Sequence, residues 1–85
     1  MAGTKFPMDR RTADGRHFYR ILASDHFIDV QRVGERWMVH EVHARAYPEL
    51  VRIQEMLVDH GRYPPMGPGE WDRVLALARG EGYTA

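Results

Sequence analysis

Over residues 17–44 the chain reads HFYRILASDHFIDVQRVGERWMVHEVHA, short runs of alternating apolar and polar residues separated by small polar breaks. The pattern predicts strands at 17–22, 27–33 and 36–42, each rich in the β-branched and aromatic residues that suit a pleated, half-buried surface. The first break, at 23–26, is Ala-Ser-Asp-His. The second is Gly34-Glu35, with Gly at the first central position, as a type II′ hairpin turn prefers. The prediction is therefore an antiparallel meander.

Closing both turns at even parity sets Tyr19, Val30 and Val39 side by side, flanked by Ile21, Ile28 and Trp37. These residues form the expected core layer. The opposite face then carries a polar row, Arg20–Asp29–His40, with Leu22, Phe27 and Val42 to one side and Phe18 and Met38 to the other. A plainly solvated face alternates more cleanly into polar residues. This second face, with Arg36 at its edge, is the expected contact surface.

Helical spacing begins after the sheet. Pro48 suits a first helical position and Glu49 complements the positive end of the helix dipole. Leu50, Ile53 and Leu57, with Val51 and Val58 beside them, predict a helix over 48–60 that Gly61 stops. Its expected target is the Tyr19/Val30/Val39 layer. The stretch 61–69, GRYPPMGPG, reads as a stiffened connector, because each Pro fixes its own φ and biases the residue before it. Trp71, Val74, Leu75 and Ala78 predict a second helix over 68–79, with Arg79 and Gly80 as its end signal. Residues 1–15 lack periodicity and read as a flexible arm, and 81–85 as a frayed end. The sum is one α+β domain over 16–80, a three-stranded antiparallel meander followed by two helices (β-β-β-α-α).

Composition narrows the function. The chain has 85 residues and no Cys, which excludes a disulfide scaffold, a thiolate metal site and cysteine catalysis, and fits a reducing cytoplasm. No apolar run is long enough for a membrane span. Twelve basic and twelve acidic residues balance, which speaks against a non-specific nucleic-acid binder. Eleven of the twelve basic residues are Arg and Asn is absent, a bias expected of a GC-rich bacterial or phage genome.

Candidate chemistry is sparse. His40 and His43 lie three apart, which on a strand puts them on opposite faces, so one metal ion does not take both. His17 and His26 fall into no recognisable ligand spacing, and no metal or cofactor is expected. His40 opposite Asp29 makes a polar anchor that needs nothing further if the face binds a protein. The only Ser is Ser24, in a turn, and no nucleophile motif or phosphate-cradling loop occurs, so an enzyme is not expected. In element order the chain resembles AP2-like and integrase arm-type DNA-binding domains. That resemblance implies a sheet laid in the major groove, with Arg20, Arg32 and Arg36 reading it and Arg10 and Arg11 as a basic arm.

The leading expectation is a small non-enzymatic protein-binding module, regulatory or inhibitory, acting on a protein partner or on itself as a homodimer. Phe18, Arg20, Phe27, Asp29, Arg36, Met38 and His40 are its expected contact residues. DNA binding through the same face and the basic arm is the alternative.

Overall fold

The computed structural model describes residues 5–82. Four strands, β1 (Met8–Arg11), β2 (His17–Ala23), β3 (His26–Val33) and β4 (Arg36–His43), form one antiparallel sheet in sequence order. Helices α1 (Tyr47–Val58) and α2 (Glu70–Leu77) follow, and α2 widens into a π-type turn over Ala78–Gly82. The antiparallel sheet, the two trailing helices and the α+β class match the sequence pattern; the strand count does not. None of the described helices is long and apolar enough to cross a membrane.

The additional strand, β1, lies in the stretch expected to be a loose arm. It pairs with β2, Asp9 opposite Arg20 and Arg10 opposite Tyr19. Its sequence, MDRR, has no apolar alternation, and charge and backbone pairing hold it instead. Arg20 donates twice to the Asp9 carboxylate, at 2.8 and 3.0 Å. On the outer side, Arg11 N–H donates to the Pro64 carbonyl at 3.1 Å and Met66 N–H to the Asp9 carbonyl at 3.4 Å. The proline-rich connector thus forms a cover along β1. Residues 1–4 of the expected arm and 83–85 of the expected frayed end lie outside the described residues.

The β3–β4 hairpin has the expected register, with Val30 opposite Val39 and Asp29 opposite His40. Gly34 at φ +63° supplies the left-handed residue that its turn needs. The β2–β3 hairpin differs. Ala23 pairs with His26, yet Ile21 pairs with Phe27, leaving Leu22 as an unpaired extra residue. This bulge moves the rest of β2 by one place, and a one-place shift turns every side chain to the other face. The observed rows are therefore Phe18–Val30–Val39 and Tyr19–Asp29–His40. The expected rows Tyr19–Val30–Val39 and Arg20–Asp29–His40 do not form.

Each face has its own core. On one, Tyr19, Ile21 and Phe27 are buried against Ile53 and Met56 of α1, with Ala44 and Tyr63. On the other, Phe18 and Val30 are buried against Trp71 and Val74 of α2 and Ala78, with Ile28, Trp37 and Val39 at the margin. The chain is a three-layer helix–sheet–helix sandwich. Met56, rather than Val58, supplies the inward end of the α1 stripe, and Val58 is 76% exposed.

Candidate interaction surface

The seven expected contact residues do not share a face. Phe18 and Phe27 are buried in opposite cores, at 7% and 3% exposure, and are corrected from contact residues to packing residues. Arg20 lies on the α2 side, where its guanidinium grips Asp9 and sits 5.2 Å from the centre of the Trp71 ring. Those Asp9 hydrogen bonds hold its proton more firmly than usual. Asp29 is buried on the α1 side, and its hydrogen-bonding partner is His17, whose Nδ1 lies 3.2 and 3.3 Å from the two carboxylate oxygens. His40 stands opposite Asp29 in the ladder but is exposed. Arg36, Met38 and His40 remain together as exposed residues along β4, on the α1 side beyond the packed end of the sheet.

A polar seam marks the boundary between the α1 core and this open part. The Tyr19 ring lies parallel to His17 at 5.8 Å, and its hydroxyl accepts a 2.9 Å hydrogen bond from Arg52 Nη2. The Arg52 guanidinium also lies 5.6 Å from the Tyr19 ring centre and 6.0 Å from that of Phe27. His17, Tyr19 and Arg52 are the residues that sequence reasoning missed. The bulge hid Tyr19 and His17 by exchanging faces, and Arg52 arrives from a helix 33 residues away. No local spacing announces it.

Burial pushes the Tyr19 phenol above its ordinary value of 10.0, and the Arg52 charge opposes the rise. A folded value above the unfolded one gives stability that is complete below the unfolded value and lost as pH rises through the folded one. Ultraviolet titration is expected to show one phenol ionising only at pH values above those of exposed tyrosines, with denaturant stability falling across that alkaline window. Tyr19→Phe should abolish the late-titrating component. An unchanged titration curve in that variant would place the shifted phenol elsewhere.

The two edges of the sheet differ. On β1 the outward Asp9 carbonyl and Arg11 N–H are satisfied by the connector. On β4 the direction of each backbone group follows from two bonds. Ala44 N–H donates to the Asp25 carbonyl at 2.7 Å, and Arg32 N–H donates to the Arg16 carbonyl at 2.7 Å. Backbone groups alternate sides along a strand. Even-numbered residues of β4 therefore face β3, and Trp37, Val39, Glu41 and His43 turn theirs outward. Among the described residues no backbone group pairs with them. An edge of this length, without Pro or a bulge, is a template for another strand.

No family model, curated protein or solved structure matches the chain.

Proposed function

We propose that the chain is a small non-enzymatic protein-binding module that works by strand addition along β4, and that the strand it takes up is β4 of a second copy. The contrast between the β1 edge, whose outward backbone groups bond to the connector, and the β4 edge, whose outward backbone groups have no backbone partner among the described residues although Ala78–Gly82 packs near this strand, carries this reading. Main-chain hydrogen bonds supply affinity in such contacts, and side chains on alternate positions supply register. Antiparallel pairing about a two-fold axis at Val39 sets Met38 against His40, Trp37 against Glu41 and Glu35 against His43, with no like-charged pair. A formal net charge of zero removes the general repulsion between copies. Ser24, the sole serine, is exposed in the β2–β3 turn, away from the His17–Asp29 pair, which is consistent with a binding role.

The alternative, DNA binding, asks for a bare sheet face. Here α1 packs on one face and α2 on the other, and Arg20 is engaged with Asp9.

The test is Val39→Pro. Proline there removes an outward N–H and leaves the β3 ladder intact, which edge strands tolerate. Sedimentation equilibrium is expected to give a dimer for the wild-type chain and a folded monomer for the variant. A monomeric wild type, or a variant that still dimerises, sinks the proposal.

A further inference from the structure

A second cluster lies at the opposite end of the β3–β4 ladder from Gly34, on the α2 side of the sheet. His26 and His43 are direct partners across the ladder, and Glu41 is the next residue of β4 on the same face. The two imidazoles stack at 4.0 Å between centroids and 16° between planes. Both turn Nε2 toward one carboxylate oxygen, Glu41 Oε2, at 2.6 Å from His26 and 3.7 Å from His43. One ligand atom from each of the three residues lies within 4.8 Å of the others.

We propose that His26, Glu41 and His43 bind a divalent first-row transition-metal ion, with Zn²⁺ as the best-suited member. The donor set is the first reason. Two imidazole nitrogens and one carboxylate oxygen suit zinc and its neighbours, whereas calcium and magnesium want oxygen throughout. Geometry is the second. Zinc bonds of about 2.0–2.2 Å place the donor atoms of a tetrahedral site roughly 3.3 Å apart. The two observed separations, 2.6 and 3.7 Å, lie on either side of that distance, each within an ångström. The ladder fixes the backbones, and the exposed Glu41 and His43 side chains are free to rotate by this amount.

Chemical economy is the third. The two stacked rings aim at one carboxylate oxygen, and a cation held between them and that oxygen engages all three groups at once. Three protein ligands leave a fourth position for water on the solvent side, so the ion fastens β3 to β4 where the ladder ends.

Calorimetric titration of the full chain with Zn²⁺ in a non-coordinating buffer tests the site. One ion per chain is expected. Glu41→Gln and His43→Ala should each weaken binding by more than the roughly 10–100-fold that loss of an outer-shell partner costs. His60→Ala, at an exposed histidine outside the cluster, should leave the affinity unchanged. Both altered side chains in the cluster are exposed, so the metal-free variants should keep the wild-type circular dichroism spectrum and denaturation midpoint. Titration with Co²⁺ gives a second readout, because a low-coordinate site produces intense visible absorption. An absence of zinc uptake overturns the proposal. So does uptake that survives His43→Ala, that is lost with His60→Ala, or that amounts to one ion per two chains.

Discussion

Trp71→Ala is expected to be strongly destabilising, lowering the stability of the folded chain by about 3–5 kcal/mol. Trp71 is 2% exposed and is the largest buried side chain in the α2 core, packed with Phe18, Val30, Val74 and Ala78. Truncating a buried Trp costs about 3–5 kcal/mol, from lost burial and from the cavity left behind. An 85-residue domain has a total stability of roughly 4–13 kcal/mol, so one substitution removes about a quarter of it at the least. The Arg20 guanidinium also loses the ring it covers at 5.2 Å. Urea denaturation should show a lower midpoint at an unchanged slope. Trp71→Phe separates the terms, because it keeps a ring beneath Arg20 and much of the volume, and should cost well under half as much. A loss below about 1 kcal/mol for Trp71→Ala would mean that α2 does not seal this face of the sheet.

Arg10→Met is expected to have the opposite sign. Arg10 is 6% exposed on the α1 side of β1, and its Nε has no hydrogen-bond partner among the described residues. Its Nη1 donates only to the neighbouring Asp9 carbonyl, at 3.0 Å. A buried donor left unpaired costs about 1–3 kcal/mol, and exchanging buried charge for an apolar side chain of similar length is often neutral or stabilising. Methionine is flexible enough to fill the channel that the arginine stem occupies. A gain of about 1–3 kcal/mol is expected, raising the melting temperature by roughly 4–8 °C per kcal/mol in a domain of this size. Arg10→Ala should destabilise, because it removes the stem as well as the charge. A less stable Arg10→Met chain would show that the guanidinium supports β1.

These two substitutions also mark what the sequence could and could not convey. The α2 stripe at Trp71, Val74, Leu75 and Ala78 was plain from helical spacing, and so were the Gly34-Glu35 turn and the β3–β4 register. Local patterning sufficed wherever one residue's neighbours in sequence are its neighbours in space. It failed at Leu22, where a single unpaired residue exchanged the faces of β2 without altering its composition. It failed again at Met8–Arg11, a strand held by the Arg20–Asp9 pair and by backbone bonds to the connector. The expected contact face divided for the first of these reasons. Phe18 went to one core and Phe27 to the other, while Arg36, Met38 and His40 stayed together on β4, whose parity had been read correctly. The His26–Glu41–His43 group was illegible because its partners, 15 residues apart, meet only through the ladder.

The connector over β1 has a further consequence. A sheet with two open edges polymerises once it begins to pair, since each added copy offers a fresh edge. Here the Pro64–Met66 cover has already used one side. A copy that docks along β4 presents only its own covered β1 at the far side, so the joined sheet ends in a stopper at both extremities. On the pairing proposed above, association through this edge would be self-terminating, closing as a pair and leaving no nucleus for a fibre.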